Sequence, residues 1–412
     1  MVAPGWRALW LGVVAVAACG RSGLGVTGLG GDAALAGGDS LFVDQIGALS
    51  LTTGSGTTTV GNGAFAVTFD EARGGVPTGM TVSGGSGVNL VGQDTSKDEV
   101  WAAISFFDVW FSWRPDAAVP VAVRIEGPAV TQVELVWAAG GAPAVGGSGT
   151  SRYTIYPDGR IHRFESVSVH EALDVCFLAY LTIPMDAWNR VEWDVGDGPN
   201  VTAKIDSGAG NEIYNGQASD RACACAASDA GDLVGWSHHE SGAVVPDGLR
   251  IWESEWGNHL LLATEWAQFA TVPVGDYVAE IMMLLRAGTT CDPVREAIAP
   301  FLEPPVAAVT AGALVTTSPT DRDQDGFDES TGAWMLSAAS GDEVVFTLTG
   351  APSPTLAVHV ASWPGTVTPV IRLGGVLLTH GADFLFQSDT GGAWIFIDRP
   401  VASGVEVRIL AP

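Results

Sequence analysis

Short runs of alternating apolar and polar residues, separated by turns rich in glycine and proline, follow one another along most of the chain. β-Branched and aromatic residues dominate these runs, which is typical of strands and not of helices. The clearest example is Ser151–His170, in which Pro157-Asp158-Gly159 supplies a tight turn between two strands. The pattern therefore predicts an all-β protein with short strands.

The second strand of this central hairpin (Ser151–His170) is polar on both faces. Arg160 and His162 alternate with Arg163 and Glu165, so we expect one face to lie along a wet groove. Tyr153, His162 and Arg163 are then catalytic candidates, because a lyase needs a base and a cation that neutralises a uronate carboxylate. Arg160 is a candidate for substrate binding. The alternative is that these side chains form ordinary cross-strand pairs.

The chain is strongly acidic, with 46 acidic residues against 19 basic ones and a formal net charge of −27. Such a chain repels polyanions, which excludes nucleic acid as an expected partner. The plain interpretation is that acidity keeps an exported protein in solution. The length of 412 residues is enough for two or three domains.

The N-terminus carries an export signal. Arg7 precedes the apolar run Ala8–Val16, and Val16-Ala17-Ala18-Cys19 resembles the bacterial lipobox. The resemblance implies cleavage before Cys19 and a palmitate-type lipid anchor on its thiol, since several acyl chains are needed for stable anchoring. Gly20 in place of Asp favours the outer membrane in that pattern. An ordinary secretory signal with a chance cysteine is the alternative.

Residues 1–19 are thus predicted to be a lipoprotein signal peptide that ends at the lipidated cysteine, and the localisation is the bacterial cell envelope. Residues 20–40 are rich in Gly, Ala and Ser. We expect them to form a flexible tether between the anchor and the folded part of the protein.

The order of three segments resembles the galactose-mutarotase-like supersandwich. They are VGNGAFAVTFDEARGGVPTGMTV, GVNLVG and YTIYPDGRIHRFESVSV. The resemblance covers about residues 41–290 and implies a large β-supersandwich in this part of an all-β chain. The strand pattern of the later residues predicts that a smaller C-terminal β-sandwich follows it. That fold occurs in sugar epimerases, in lyases and in catalytically silent modules, so it implies carbohydrate without supplying a reaction.

After the large domain, Asp292-Pro293 begins a short helical pattern in which Val294, Ile298 and Phe301 share one face. Residues 291–315 are predicted to be this helix and a linker. Residues 316–412 are predicted to form the C-terminal β-sandwich.

An acidic loop opens that sandwich. Asp321, Asp323, Asp325 and the following Gly326 form a D-x-D-x-D-G run, whose alternate carboxylates converge on a hard cation. The twelfth position of the EF-hand pattern is glycine here, so the run resembles the shorter calcium loops of dockerins and thrombospondin-type repeats. Asp328 and Glu329 are the candidates for the closing ligand. The sequence predicts a structural Ca²⁺; the alternative is a solvated acidic turn.

With Cys19 lipidated, four cysteines remain in an exported chain, which predicts disulfides. Cys223 and Cys225 are too close together for an unstrained mutual bridge. We therefore expect two bridges that join them to Cys176 and Cys291.

A second group of polar residues surrounds Trp252. Glu253 and Glu255 share one face of a predicted strand and lie about 7 Å apart at the backbone, within the separation of about 5–9.5 Å found between glycosidase carboxylates. With His239 they are further catalytic candidates. However, side chains on one strand point in parallel and do not face each other across a sugar. A solvated or sugar-contacting face is the alternative.

Aromatic residues supply the substrate-binding candidates. Trp110, Trp113 and Trp252 offer flat rings on which sugars stack, although such residues also fill cores. Taken together, the sequence predicts a surface-anchored lipoprotein that binds glycan through its large domain without turnover. The alternatives are a polysaccharide lyase or sugar epimerase that acts in the groove, and an adhesion module that binds a protein partner.

Overall fold

The computed structural model describes residues 47–91, 103–106, 109–112, 118–138, 147–179, 188–194, 200–202, 212–216, 221–239, 248–254, 259–339 and 342–412. The predicted signal peptide, the tether and Cys19 lie outside these residues, as do Trp113 and Glu255. Val43–Pro412 forms one compact unit. No helix in the described part of the chain is long and apolar enough to cross a bilayer.

The large β domain comprises nineteen described strands and the short 3₁₀ helix Glu71–Arg73. The strands are β1 (Ser50–Gly54), β2 (Thr57–Gly61), β3 (Phe65–Asp70), β4 (Pro77–Val82), β5 (Ala103–Phe106), β6 (Val109–Ser112), β7 (Ala122–Ile125), β8 (Thr131–Ala138), β9 (Gly147–Ile155), β10 (Arg160–Val169), β11 (Leu173–Ala179), β12 (Arg190–Asp194), β13 (Asn200–Thr202), β14 (Glu212–Gly216), β15 (Arg221–Ala227), β16 (Asp232–His239), β17 (Gly248–Ser254), β18 (His259–Val272) and β19 (Gly275–Ala287).

The helix α1 (Asp292–Leu302) joins this domain to the C-terminal sandwich. The strands of the sandwich are β20 (Val306–Ala311), β21 (Ala313–Leu314), β22 (Phe327–Asp328), β23 (Ala333–Ser337), β24 (Glu343–Thr349), β25 (Leu356–Ala361), β26 (Val370–Leu373), β27 (Val376–Leu377), β28 (Phe384–Ser388), β29 (Gly392–Ile397) and β30 (Glu406–Leu410). The segment 291–315 therefore contains α1 and then two strands of the sandwich.

The large domain has three described sheets. Their strand orders are β1-β2-β3-β4, β13-β12-β15-β16-β19-β10-β9-β8-β7 and β14-β17-β18-β11-β5-β6. The sandwich has the orders β20-β24-β30-β26-β27 and β21-β23-β25-β29-β28, with β22 paired to β23. Among the described ladders, β23–β25 is parallel and the others are antiparallel. The predicted fold class is confirmed: the chain is all-β, with a large domain followed by a smaller β-sandwich.

The nine-stranded sheet is covered on both faces. Alternate residues of β19, such as Ile281 and Met283, belong to the core of the large domain, while Met282 and Leu284 belong to a second core. The second core also contains Ile298 of α1 and the interior of the C-terminal sandwich. Strands buried on both faces become continuously apolar, as the MMLL run of β19 shows.

The central hairpin is formed by β9 and β10, and its predicted turn is confirmed. The amide of Tyr156 donates to the carbonyl of Arg160 at 2.9 Å, and Gly159 adopts a φ of +88°. A Cβ atom at Gly159 would lie 2.1 Å from the carbonyl oxygen of Leu285, so the turn requires glycine for space as well as for conformation.

The expectation that β10 borders a wet groove is wrong. Arg160, His162, Arg163 and Glu165 are all buried, with exposures of 6%, 1%, 0% and 1%. Arg163 and Glu165 lie on the face that carries Ile161 of the first core, and His162 lies on the opposite face, against Phe301 of α1. The physical reason is that both faces of β10 are covered. The first core packs on the face of Arg163 and Glu165, and α1 with the C-terminal sandwich packs on the face of Arg160 and His162.

The C-terminal sandwich docks on the large domain through apolar and polar contacts. Phe396 stacks on Tyr156 with ring centroids 5.9 Å apart, and the Tyr156 hydroxyl donates to the carbonyl of Thr331 at 2.8 Å. The side-chain oxygen of Gln387 accepts from the amides of Ala129 and Val130 at 3.1 and 3.0 Å. The large domain and the C-terminal sandwich therefore pack directly against each other and share an interior.

One disulfide joins Cys225 on β15 to Cys291 at the start of α1, with a Cα–Cα distance of 5.9 Å. Cys223 forms no disulfide, so the predicted bridge at this residue is wrong. Cys223 and Cys225 point to the same face of β15, and only Cys225 lies opposite Cys291. Cys176 is on β11 of a different sheet, and its side chain lies outside the described part of the structure.

Candidate functional site

The predicted catalytic residues of the central hairpin form a buried network. The guanidinium of Arg163 binds Glu165 with an Nε to Oε2 distance of 2.8 Å and lies 5.2 Å from the centroid of the Tyr153 ring. The hydroxyl of Ser151 donates to Oε1 of Glu165 at 2.8 Å. Charged groups this deep in a fold are paired because an isolated buried charge is very costly. Arg163 and Glu165 therefore form a buried ion pair in the large domain.

The titration behaviour of these groups follows from their burial. Loss of solvation raises the pKa of Tyr153 and of Glu165, and the nearby Arg163 offsets only part of the rise. Burial, together with the neighbouring Arg160, holds the pKa of His162 well below its usual value. None of these three groups is exposed enough to meet a polymeric substrate.

Arg160 and His162 border the contact between the two parts of the chain. Arg160 binds Asp158 with an Nε to Oδ2 distance of 2.6 Å, and its guanidinium lies 5.2 Å from the centroid of the Tyr156 ring. Asp158 also accepts a hydrogen bond from the Thr355 hydroxyl of the C-terminal sandwich at 2.7 Å. A Cβ atom at Gly332 would lie 2.0 Å from the His162 ring. These residues hold the sandwich in place.

The remaining substrate candidates lie on the six-stranded sheet. Trp110 is on the edge strand β6 and Trp252 is on β17, four strands away. Neighbouring strands are about 4.8 Å apart, so their backbones are separated by roughly 19 Å across the sheet. Glu253 is also on β17, and His239 is on β16 of the nine-stranded sheet. The side chains of these four residues are outside the described part of the structure.

The acidic loop brings the first three aspartates together. Asp321, Asp323 and Asp325 each offer a carboxylate oxygen, and these atoms all lie within 4.8 Å of one another. Gly326, at φ +90°, turns the chain, and its amide donates to Oδ2 of Asp321 at 2.9 Å. The other oxygen of Asp321 has no hydrogen-bond partner, although the side chain is only 3% exposed. Three convergent hard oxygens, one of them buried and unsatisfied, fit a calcium ion.

The structure places Asp328 outside this cluster. Its carboxylate accepts hydrogen bonds from the hydroxyls of Ser318, Thr320 and Ser330 at 2.7, 2.7 and 2.5 Å. It also accepts from the amide of Thr331 at 3.3 Å. Because both oxygens are occupied, Asp328 acts as a clamp that closes the two ends of the acidic loop.

Glu329 is buried near the cluster, with an exposure of 4%. Its Oε2 accepts from the amide of Arg322 at 3.3 Å. Loss of solvation raises its pKa to about 7, and the same cause raises the pKa of Asp325 to about 6. In the absence of a cation, these carboxylates therefore have an increased tendency to take up protons.

Sequence reasoning missed Glu280 on β19. This residue is 2% exposed, and its Oε2 lies 3.3 Å from the guanidinium of Arg322 in the acidic loop. Burial raises its pKa to about 8, against the opposing effect of Arg322. One signal was present in the sequence: Glu280 is the single charged residue in the apolar run Val278–Leu285. A lone carboxylate in such a run indicates a buried acid with a specific partner.

No protein-family model matches the chain, and no curated protein matches it in sequence. Several solved structures are similar at low identity. The galactose 1-epimerase from Lactobacillus acidophilus NCFM is 7% identical, with a TM-score of 0.37, over 59% of this chain and 99% of its own. The GalM/aldose epimerase homologue from C. elegans is 11% identical, with a TM-score of 0.36, over 59% of this chain and 100% of its own.

A putative aldose 1-epimerase from Klebsiella pneumoniae is 9% identical, with a TM-score of 0.36, over 61% of this chain and 88% of its own. The structures similar to this chain thus include galactose mutarotase-like folds. Similarity at this level transfers neither a reaction nor a set of catalytic residues.

Proposed function

We propose that this protein is a lipid-anchored, calcium-containing carbohydrate-binding protein of the bacterial cell envelope that does not turn its ligand over. The observation that carries the absence of turnover is the burial of the central hairpin. Tyr153, His162 and Arg163, which supply the base and the cation of the alternative lyase, are no more than 1% exposed. A general base must come within hydrogen-bond reach of its substrate, and the burial of these three side chains supports binding without turnover.

The carbohydrate ligand is proposed from the resemblance of the large domain to the supersandwich fold. A glycan array with residues 43–412, followed by a product assay on every hit, tests it. Trp110→Ala and Trp252→Ala form a matched pair, because the two tryptophans lie at distant strands of one sheet. We expect one of the two substitutions to weaken binding at least tenfold. Unsaturated or epimerised products would show that the protein is a lyase or an epimerase and would overturn the proposal. An array without hits would show that the protein does not bind carbohydrate.

Calcium at Asp321, Asp323 and Asp325 is supported by their convergence and by the unsatisfied oxygen of Asp321. A ligand that binds only the native state stabilises it by RT ln(1 + [L]/Kd), about 2.7 kcal/mol at a hundredfold excess. We expect calcium to raise the free energy of unfolding of residues 43–412 by this amount, measured by denaturant unfolding against chelator.

The matched variants separate calcium binding from general charge effects. The double substitution Asp323→Asn with Asp325→Asn should abolish the calcium effect, because it removes two of the three ligands. Asp229→Asn removes an exposed carboxylate elsewhere in the large domain and should leave the effect intact. Equal unfolding curves in calcium and in chelator for the unaltered protein would show that the acidic loop is only a solvated turn.

The location at the cell envelope, including the outer membrane, is proposed from the lipobox pattern that ends at Cys19. Metabolic labelling with a fatty-acid probe tests it: the label should be present on the full chain and absent from Cys19→Ala. Equal labelling of both proteins would exclude this cysteine as the anchor.

A further inference from the structure

Arg322 connects the metal-binding candidates to the large domain. Its backbone lies between Asp321 and Asp323, so a cation that holds these two carboxylates also fixes the position of Arg322. Its guanidinium extends to Glu280 of β19, with a distance of 3.3 Å from Nη2 to Oε2. Glu280 is buried beneath the acidic loop, on the strand that pairs with β10 and β16.

The other end of the loop contacts the large domain as well. Thr331, whose amide donates to the Asp328 clamp, accepts a hydrogen bond from the hydroxyl of Tyr156 through its carbonyl. Gly332 follows and packs against the ring of His162. The segment 321–332 therefore holds the metal candidates at one end and docking contacts along its length, and Asp328 ties the two ends together.

Burial makes the contact between Arg322 and Glu280 depend on where the backbone of the acidic loop lies. Glu280 is 2% exposed on the large domain, and Arg322 reaches it from the loop with an Nη2 to Oε2 distance of 3.3 Å. A divalent ion held by the aspartates on either side of Arg322 would fix the backbone at this point and so hold the guanidinium against Glu280.

We propose that calcium bound by the acidic loop controls how firmly the C-terminal sandwich docks on the large domain, with Arg322 and Glu280 as the connection. The proposal rests on the proposed calcium site. A calcium ion that only stabilised the sandwich itself would not affect docking. Calcium withdrawal should loosen the contact at points far from the loop, because the sandwich docks as one body.

Two amides report on docking. The N–H groups of Ala129 and Val130 in the large domain donate to the side chain of Gln387 on β28, outside the acidic loop. Hydrogen exchange at these amides, measured on residues 43–412, should be at least tenfold slower in calcium than in chelator. Calcium binding is measured separately by titration calorimetry on the same protein.

Glu280→Gln keeps the shape of the side chain but replaces the carboxyl group that Arg322 contacts. We expect this variant to bind calcium still, while the effect of calcium on exchange at Ala129 and Val130 falls to less than a third of its original size. Arg124→Gln, which breaks an exposed ion pair with Glu134 in the large domain, is the control and should keep the full effect.

The outcomes separate the two proposals. If calorimetry shows calcium binding but exchange at Ala129 and Val130 is the same with and without calcium, the docking role is wrong and the calcium site stands. An undiminished calcium effect in Glu280→Gln would also exclude the connection through this residue. If calorimetry shows no binding, the calcium site itself is wrong.

Discussion

Glu165→Leu is expected to lower the free energy of unfolding by about 3–5 kcal/mol, because it removes the carboxylate that pairs with the buried guanidinium of Arg163. Arg163 is fully buried, and its Nη2 lies 2.6 Å from Oε2 of Glu165. The substitution also removes the acceptor of the Ser151 hydroxyl. Denaturant unfolding of residues 43–412 measures the loss.

Two comparisons show whether the buried charge is the cause. The double substitution Arg163→Met with Glu165→Leu removes both charges and should recover most of the stability, since apolar replacements of a buried pair are often neutral. Arg124→Ala breaks an exposed pair with Glu134 and should cost less than about 1 kcal/mol. A double variant as unstable as Glu165→Leu would show that the loss comes from altered packing and not from the broken ion pair.

The second large effect is expected from the disulfide. Cys225→Ser with Cys291→Ser should lower the free energy of unfolding by about 2–4 kcal/mol, because the bridge closes a loop between residues 66 positions apart in the chain. The bridge also fixes the start of α1 on the nine-stranded sheet, where α1 covers the second core. Unfolding curves under non-oxidising and oxidising conditions measure the difference.

Cys223→Ser is the matched control, since Cys223 lies two residues from Cys225 on the same strand but forms no bridge. We expect its effect to stay below about 1 kcal/mol, and reductant should destabilise Cys223→Ser as much as it destabilises the unaltered protein. A loss in Cys223→Ser equal to that of the double variant would mean that this thiol, and not the bridge, carries the stability.

Local pattern was enough to predict the hairpin of β9 and β10. Its strands are rich in β-branched and aromatic residues, and Pro157-Asp158-Gly159 has the residue types that a tight turn requires. The same local logic found Val294, Ile298 and Phe301 on one face of α1, and all three are buried. Such features depend on neighbours in sequence, so the sequence alone carries them.

The local pattern does not show which element packs against a given face of a strand. Strand β29 is buried at each of its six positions, because one side belongs to the interior of the sandwich and the other packs against Tyr156 and its surroundings. The run GAWIFI is apolar enough to predict burial, yet nothing local to it identifies the large domain as the second layer. For the same reason, the sequence alone predicted a groove along the polar face of β10.

The sequence by itself determined the all-β class, the position of the central turn, the apolar face of α1 and the spacing that lets Asp321, Asp323 and Asp325 converge. Tertiary structure alone decided that Arg163 and Glu165 are buried. It also decided that Cys291 forms its disulfide with Cys225 and not with Cys223. The contact between Glu280 and Arg322 likewise depends on the tertiary structure. The physical reason is the separation along the chain of the residues that interact. Turns, alternation and loop ligands arise between residues a few positions apart, whereas burial and long-range pairing depend on which layer covers each face.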